Sequence, residues 1–362
     1  MPRKRSCYGV SGRSDLTRHP GGGRDLRRLG ARESPEIPLS AGMAEFGGLE
    51  FLRGCADFGN DMTSNSQNLD VALGFTIPQR NARGRFVRLG LTLDLILGAH
   101  GYPSVIEKLL AEAIVLAALL GSTLKDEAGQ LTLQAQAEGG AVELMVADYK
   151  AGELRGYIRH SPERLAEMPA DPSLFALFGK GYLAITFDQA VTGERYQGIV
   201  PLEGGSLAEA AENYFGQSEQ LPSLVRLAST RLPDGRHVAG GILIQHLPEG
   251  EEGRDRIHTR LDHPEWDHVR ALGETISEEE LTDRGLAPDR LLWRLFNEEQ
   301  EVRTMPQVSL ARGCRCDPGH IRGVIARFHP DERAEMADEK GEIHVDCEFC
   351  AKRFSLDLLS IG

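Results

Sequence analysis

Four cysteines in two close pairs near the end of the chain constrain its fold more than any other feature. One pair lies in Cys314-Arg315-Cys316 and the other in Cys347-Glu348-Phe349-Cys350, and together they account for four of the six cysteines. Two short loops carrying paired thiolates are the usual way to assemble a structural four-cysteine site, because zinc prefers tetrahedral sulfur coordination. We therefore expect Cys314, Cys316, Cys347 and Cys350 to bind one zinc ion.

The spacing of these cysteines also favours thiol chemistry. Cysteines two or three positions apart can form small disulfides once a metal has left, and C-x-C is tighter than ordinary zinc-knuckle spacing. Four nearby basic residues are expected to favour the thiolate, which is the species that oxidants attack. They are Arg312, Arg315, Lys352 and Arg353. The pattern predicts a redox switch, and a purely structural zinc ribbon is the alternative.

The carboxy-terminal segment that holds the cysteines, residues 313–362, is short. A module of this size is too small to sustain a large core and often depends on a metal for its stability. Structural zinc contributes on the order of 10 kcal/mol in such modules. Oxidation of the ligands is therefore expected to unfold the segment and to remove a packing partner from the region that precedes it.

Composition and charge limit the classes of function. The hydrophobic share of 41% and the charged share of 26% are ordinary for a soluble globular protein of two or three units. The longest apolar stretch, Leu109 to Gly121, contains Glu112 and is short for a bilayer span, so no membrane segment is expected. Few cysteines outside the two pairs indicate a reducing compartment, and we expect the protein to be cytoplasmic.

The first 42 residues differ from the rest of the chain. They hold nine Lys/Arg and four Asp/Glu, whereas the whole chain has 41 and 54, so the chain from Met43 onward is strongly acidic. An acidic surface repels phosphate backbones and argues against nucleic acid as a partner. Residues 1–42 are interpreted as a disordered basic extension or as a start codon assigned upstream of Met43. Cys7 and Cys55 match no motif and receive no role.

Residues 43–247 are predicted to form a mixed α/β core domain. Alternating apolar residues predict a strand over Asp70–Pro78, and a longer apolar stretch at helical spacing predicts a buried helix over Tyr102–Lys125. Two β-hairpins, a further strand after the first of them, a short helix capped by Ser206 and a last strand complete the prediction. Their strands are placed at Leu131–Ala137, Val142–Tyr149, Leu154–Arg159, Tyr182–Phe187, Tyr196–Val200 and Val238–His246.

Residues 248–312 are predicted to form a metastable helical linker. The segment is acidic and interrupted by proline and glycine, and its best helix is expected from Asp289 to Val302. Leu292, Leu295 and Phe296 share one face of that helix, while Glu298, Glu299 and Glu301 are expected to be solvated. Both tryptophans, Trp266 and Trp293, lie in the linker and are expected to be partly buried. The fold class is therefore α+β, with a core domain, a helical linker and a small zinc module.

With these motifs the sequence resembles the 33 kDa chaperonin family, the redox-regulated heat-shock holdases of the bacterial cytosol. The resemblance covers about residues 68–358, and its most specific part is the stretch Gly313-Cys314-Arg315-Cys316 with Gly341-Glu342-Ile343 and Cys347-Glu348-Phe349-Cys350. Supporting stretches are Leu131–Ala135, Gly179–Leu183, Tyr196–Val200, Ser218–Pro222 and Leu292–Phe296.

The resemblance implies a stress-response chaperone and not an enzyme. In the family the reduced, zinc-bound protein is inactive, and oxidation forms disulfides between near neighbours, here Cys314 with Cys316 and Cys347 with Cys350. Zinc is then released, the linker unfolds, and a dimer holds unfolding client proteins without ATP. Two alternatives remain from the residues alone, a thiol oxidoreductase that uses Cys347 and Cys350, and a structural zinc-ribbon binding module.

Overall fold

The computed structural model describes residues 69–124, 128–190, 193–202, 204–247 and 263–361. The expectations for residues 1–42, for Cys7 and Cys55, and for the first part of the linker, 248–262, lie outside these residues. The described strands, in chain order, are β1 (Val71–Ile77), β2 (Ala82–Leu89), β3 (Gln130–Gly139), β4 (Val142–Lys150), β5 (Glu153–His160), β6 (Gly179–Asp188), β7 (Arg195–Pro201), β8 (Ser223–Arg231), β9 (His237–His246), β10 (Arg303–Thr304), β11 (Val308–Ser309), β12 (Ala311–Arg312), β13 (Glu342–Asp346) and β14 (Arg353–Asp357). The described α-helices are α1 (Leu91–Leu97), α2 (Ser104–Gly121), α3 (Pro162–Ala166), α4 (Leu174–Phe178), α5 (Leu207–Tyr214), α6 (Pro264–Glu274), α7 (Glu278–Thr282), α8 (Pro288–Phe296), α9 (Pro318–Ile325) and α10 (Pro330–Met336).

Two six-stranded sheets form the main body. The first, sheet A, has the order β10-β1-β2-β9-β8, with β11 also paired to β1. The second, sheet B, has the order β12-β5-β4-β3-β6-β7 and is antiparallel except where β12 runs parallel to β5. Every core strand and hairpin expected from residues 70–247 is present, and the structure adds β2 and β8, which the sequence pattern did not predict.

Helix α2 fills the space between the two sheets. Its sequence is apolar on nearly every side, so it can be buried by two surfaces at once. The core around it combines residues from both sheets, among them Val87 and Leu243 from sheet A and Leu133 and Ile185 from sheet B. On sheet B the backbone of β5 approaches the helix closely at Gly156, where an added Cβ would lie 2.6 Å from Ile114 Cδ1. The predicted buried helix is confirmed.

The linker helices α6, α7 and α8 pack on the other face of sheet A, which is therefore covered on both sides. This second core, which we call the linker core, joins nine sheet residues to eight linker residues. The sheet residues are Leu73, Phe75, Ile77, Ala82, Phe86, Leu224, Ala228, Ile242 and Ile244, and the linker residues are Trp266, Val269, Ile276, Leu281, Leu291, Leu292, Leu295 and Phe296. The expected apolar face of the last linker helix is thus buried against the sheet.

Three expectations for the linker were wrong in detail. The last helix ends at Phe296 rather than Val302. Glu299 is not solvated, because its side chain is 3% exposed and bonds to Arg80 at 2.9 Å and His268 at 2.8 Å. Trp293 is 60% exposed, whereas Trp266 is 2% exposed, so the two tryptophans lie in opposite environments.

The segment that follows the linker helices, residues 303–313, runs along an edge of each sheet, and we call it the edge segment. Its strands β10 and β11 pair with β1 in sheet A, and β12 pairs with β5 in sheet B. Between them Leu310 is buried in the core between the sheets, and its N–H donates to the Asp70 carbonyl at 2.7 Å. The linker is therefore joined to both sheets immediately before the first cysteine pair.

Residues after the edge segment form the β13–β14 hairpin with helices α9 and α10. The hydrophobic cluster in the described part of this segment has four buried side chains, which are Ile325, Ile343, Leu356 and Ile361. Such a small core is consistent with a module that depends on a metal. The domain boundaries at 247/248 and 312/313 stay predictions.

Candidate metal centre

The two cysteine pairs come from separate loops that the fold brings together. Cys314 and Cys316 follow β12, where the Gly313 N–H donates to the Leu154 carbonyl at 2.9 Å. Cys347 and Cys350 lie in the turn between β13 and β14. This turn is closed by hydrogen bonds from the Cys347 N–H to the Lys352 carbonyl at 2.9 Å and from the Ala351 N–H to the Cys347 carbonyl at 2.8 Å.

The four sulfur atoms have the spacing of a tetrahedral thiolate site. All four lie within 4.8 Å of one another, and the Sγ atoms of Cys314 and Cys347 are 3.7 Å apart, while those of Cys316 and Cys350 are 3.8 Å apart. A zinc–sulfur distance of about 2.3 Å gives a tetrahedron with an edge of about 3.8 Å. The donor set therefore fits a closed four-thiolate zinc site, and it brings together all four cysteines expected from the sequence.

The surroundings of the thiols differ from the expectation of a basic environment. Burial raises the pKa of Cys314, of Cys316 and of Cys347, the last to about 11. Burial also acts to raise the pKa of Cys350, but a backbone hydrogen bond from Lys352 and the other thiols outweigh it and lower that pKa.

Three of the four basic side chains near the cysteines are engaged elsewhere. Arg315 bonds to Asp148 at 3.3 Å, Arg353 bonds to Asp346 at 2.8 Å, and the Lys352 ammonium lies over the ring of Phe354. A metal ion would therefore have to supply the positive charge that keeps four close thiols deprotonated. The expectation that nearby basic residues favour the thiolates is not supported.

The Cys347–Cys350 motif lies in a hairpin turn. A catalytic C-x-x-C of the thioredoxin type opens a helix after a strand, where the helix amino terminus lowers the pKa of the first thiol. Here the residue after the motif, Ala351, has a φ of 54° and leads directly into β14. The geometry favours a metal knuckle over a dithiol active site.

One structurally important residue, Arg88 on β2, was missed in the sequence. Its side chain is fully buried and donates to three linker carbonyls, those of Leu281 at 2.9 Å, Leu286 at 2.5 Å and Glu280 at 2.9 Å. The signal was the spacing of arginines in β2. Arg83 and Arg85 share one face of the strand, whereas Arg88 falls on the opposite face, which packs against the linker.

A second group of metal-binding residue types, Asp338, Glu342 and His344, lies near the hairpin. Asp338 accepts hydrogen bonds from two backbone N–H groups, and its carboxylate contacts the His344 ring at 3.2 Å. These groups are half-buried or exposed and serve the turn that they close. Within the described part of the chain, no helix combines the length and apolar character needed to cross a membrane.

Comparison with known proteins shows the family and agrees with the fold. Residues 70–357 match the family described as "Hsp33 protein". The "33 kDa chaperonin" of Caulobacter vibrioides (strain NA1000 / CB15N) is 43% identical over 295 residues, which cover 80% of this chain and 95% of that protein. The "33 kDa chaperonin" of Ectopseudomonas mendocina (strain ymp) is 37% identical over 294 residues, covering 81% and 94%.

A solved structure has the same fold. The crystal structure of the 33 kDa chaperonin (heat shock protein 33 homolog) from Thermotoga maritima matches with a TM-score of 0.67 and 20% identity, over 81% of this chain and 96% of that one. The fold, the four-cysteine site and the relatives together define the protein as a molecular chaperone. The chain belongs to the Hsp33 family.

Proposed function

We propose that this protein is a redox-regulated holdase, inactive when reduced and zinc-bound and active when its four cysteines are oxidised. One observation carries the proposal. The helices that cover the apolar outer face of sheet A end in an edge segment that leads, without further linker, into a set of four sulfurs at tetrahedral spacing. The four cysteines are therefore close in the chain to the helices that cover a large apolar surface.

In the reduced state Cys314, Cys316, Cys347 and Cys350 would hold one zinc ion as thiolates. The ion would supply charge compensation for four thiolates and a crosslink between two loops, which contributes on the order of 10 kcal/mol to a small module. Because the module's own core has four buried side chains, this crosslink dominates its stability. The edge segment and linker would then remain packed.

In the oxidised state Cys314 would be joined to Cys316 and Cys347 to Cys350. Each pair of thiolates gives up two electrons to an oxidant such as hydrogen peroxide, which takes up two protons from the solvent and is reduced to two water molecules. Sulfurs tied in disulfides no longer serve as thiolate ligands, so the site loses zinc and the module unfolds. The distances leave the pairing open, since all four sulfurs lie within 4.8 Å. The near-neighbour pairing rests on the family resemblance.

Loss of the module would release the linker, which lacks enough internal core to fold alone. Its buried side chains form one cluster with those of sheet A, and one contact in that cluster is Phe296 on Phe75, with ring centroids 5.8 Å apart. Unfolding of α6–α8 would uncover the nine sheet residues of the linker core. A contiguous exposed apolar surface of this kind binds unfolding proteins or a second copy of the chain.

We propose that the partners are unfolding client proteins and, in the oxidised state, a second copy of the chain in a homodimer. The functional division follows the predicted boundaries, with the core domain at 43–247, the linker at 248–312 and the zinc module at 313–362. The bacterial relatives and the reducing compartment inferred from cysteine use support a cytoplasmic location. The acidic charge counts against nucleic acid.

The test is a light-scattering assay with a client that unfolds on heating. Peroxide-treated protein at raised temperature is expected to suppress aggregation, whereas reduced, zinc-loaded protein is not. Oxidised protein that has been reduced again and supplied with zinc is the control, and it should lose the activity. If the oxidised, zinc-free protein allows aggregation as fast as buffer does, the holdase proposal is wrong.

A thiol oxidoreductase that uses Cys347 and Cys350 would give a different result. It would turn over a model disulfide in the presence of a reductant, and it would need no change in the linker. A structural zinc-ribbon module would bind zinc but would not respond to peroxide with client binding. Both alternatives are separated from the holdase by measuring disulfide turnover and light scattering on the same preparation.

A further inference from the structure

The middle residues of the two cysteine pairs converge on one spot of sheet B. Arg315, between the first two cysteines, reaches Asp148 with Nη2 3.3 Å from Oδ2. Phe349, between the second two, lies with its ring centroid 3.9 Å from the guanidinium carbon of Arg155 and 4.9 Å from the ring centroid of Tyr157, in a T-shaped arrangement. Each metal-binding loop therefore inserts one side chain into the same small platform.

The platform itself is a cross-strand pair. Asp148 on β4 lies directly opposite Arg155 on β5, and its Oδ2 accepts hydrogen bonds from Arg155 Nε at 2.8 Å and Nη2 at 2.7 Å. The Asp148 side chain is only 3% exposed. One carboxylate oxygen thus accepts hydrogen bonds from two arginines, Arg155 on the sheet and Arg315 in the cysteine loop.

We call the platform together with Arg315 and Phe349 the dock. Its hydrogen bonding is incomplete. Among the described residues, Asp148 Oδ1 and Arg315 Nη1 are buried without a hydrogen-bond partner. A buried network with unpaired groups is stable only while the surrounding structure holds its members in place. Arg315 is held by its flanking cysteines, and Phe349 by the turn between the other two. The dock therefore depends on the geometry that a single metal ion would impose on all four.

The dock also lies beside the route to the linker. The Gly313 N–H bonds to the Leu154 carbonyl, one residue before Arg155, so β12 and the dock share strand β5. If the loop that holds Cys314 and Cys316 leaves the platform, the residues next to β12 move with it. Opening of the metal site and detachment of the edge segment therefore involve neighbouring residues.

We propose that Asp148 and Arg155 are positioning residues for the thiol switch: they hold Arg315 and Phe349, and so set how readily the cysteine module opens to oxidant. The inference rests on the proposed redox function. An undocked module exposes its sulfurs, so the rate of oxidant-driven zinc loss follows the population of the undocked state. Weakening the dock raises that rate without removing any ligand.

The test measures the initial rate of zinc loss to a chromogenic chelator from full-length, reduced, zinc-loaded protein at one fixed peroxide concentration. Arg315→Gln and Asp148→Asn are each expected to raise the rate about fivefold, the effect of about 1 kcal/mol. The double variant should be no faster than Asp148→Asn alone, because that variant already removes the Asp148–Arg315 contact. Arg353→Gln is the matched control, since that exposed arginine bonds to Asp346 within the hairpin, and its rate should equal the parent's.

Two further variants separate positioning from general stability. Phe349→Leu should also raise the rate of zinc loss, because it removes the contact with Arg155 from the other loop. Arg315→Lys keeps the charge and should restore part of the parent's slow rate. Far-ultraviolet melting of Arg315→Gln should match the parent, since a merely structural role would lower the melting temperature instead. Arg315 is a loop residue, so this arm remains informative if Asp148→Asn fails to fold.

The outcomes are distinguishable. If the parent loses zinc to peroxide but all variants match it within twofold, or if the double variant shows the product of the single effects, the docking inference is wrong and the redox proposal stands. If the parent itself keeps its zinc in peroxide, the redox proposal is wrong and this inference is overturned with it. Faster zinc loss in the Arg315 and Asp148 variants with no further gain in the double variant supports the dock.

Discussion

The buried guanidinium of Arg88 allows a quantitative test of how the linker is held on sheet A. Arg88 is 0% exposed, lies over the ring of Phe86 at 5.0 Å, and bonds to the carbonyls of Glu280, Leu281 and Leu286. Its three acceptors all belong to the linker. Arg88→Met keeps the length of the side chain but leaves those three carbonyls without their donor, so we expect it to loosen α7 and the loop after it.

The expected loss of linker stability is the difference between the lost hydrogen bonds and the relieved desolvation of the guanidinium. Hydrogen bonds to a charged group contribute about 1.5–3 kcal/mol each, so three represent about 4–9 kcal/mol. Burial lowers the pKa of Arg88 from 12.5 to about 10, which corresponds to about 3 kcal/mol of desolvation that methionine does not incur. The net loss is then about 3 kcal/mol of linker stability, or an increase of about 100-fold in the open population.

The assay is amide hydrogen exchange of reduced, zinc-loaded protein, followed in peptides that cover residues 278–296. Arg88→Met should exchange these amides faster by about two orders of magnitude, while peptides from α2 keep their protection. Arg85→Met is the matched control, because Arg85 lies on the opposite face of the same strand and bonds to the Ser122 carbonyl at 3.2 Å. Unchanged or slower exchange in Arg88→Met would show that desolvation outweighs the hydrogen bonds and would refute the reasoning.

Three further predictions concern the metal, the linker and pH. Metal analysis of reductively purified protein should find one zinc per chain. The double variant Cys347→Ser with Cys350→Ser should contain no zinc, because only two of the four thiolates remain. After peroxide and heat, the emission of Trp293→Phe protein, which retains buried Trp266, should shift to the red, whereas Trp266→Phe protein should barely shift because Trp293 is 60% exposed; equal shifts would contradict this. Burial raises the pKa of Glu112 from 4.5 to about 7, so its stabilising contribution is complete below pH 4.5 and lost once the pH has risen past about 7. Urea unfolding should therefore find Glu112→Gln more stable than the parent at pH 8, with a difference that shrinks towards pH 4.5.

The sequence predicts features that depend on local pattern or on strong chemistry. Helix α2 was predicted because an apolar stretch with helical spacing needs burial on all sides, wherever the burying surfaces come from. The hairpin of β3 and β4 was predicted because both strands and their turn are contiguous. The four sulfurs were predicted to meet because two thiolate pairs share one preferred metal geometry.

Features that depend on distant pairing were not predicted. Strand β2 carries three arginines and reads as polar, which hid its pairing with the neighbouring β1, and its second partner, β9, lies about 160 residues further along the chain. The burial of Arg88 and Glu299 has the same origin, because the groups that satisfy these charges come from other elements. For Glu299 these are Arg80 and His268. A charged residue looks solvated in sequence until its partner is known.

The basic residues around the cysteines show the same limitation at short range. Proximity in sequence suggested that Arg315 and Arg353 would stabilise thiolates, but each has a carboxylate partner in the fold. Arg315 serves a contact with sheet B instead. Closeness in sequence does not show which way a side chain points. A residue between two metal ligands points away from the metal when its neighbours point towards it.

The contact of β12 with β5 offers a last prediction about how the module is joined to the body. An added Cβ at Gly313 would lie 2.5 Å from the Glu153 Cβ, so Gly313→Ala forces the strands apart at a cost of about 1–3 kcal/mol. Zinc content should stay at one per chain, because no ligand changes, while exchange of the amides at 311–313 and the rate of zinc loss to peroxide should both rise. Gly323→Ala is the matched control, since a Cβ there meets no atom within 4 Å in the described structure. If both variants behave alike, the pairing of β12 with β5 does not restrain the module, and the coupling between thiols and linker must run through another contact.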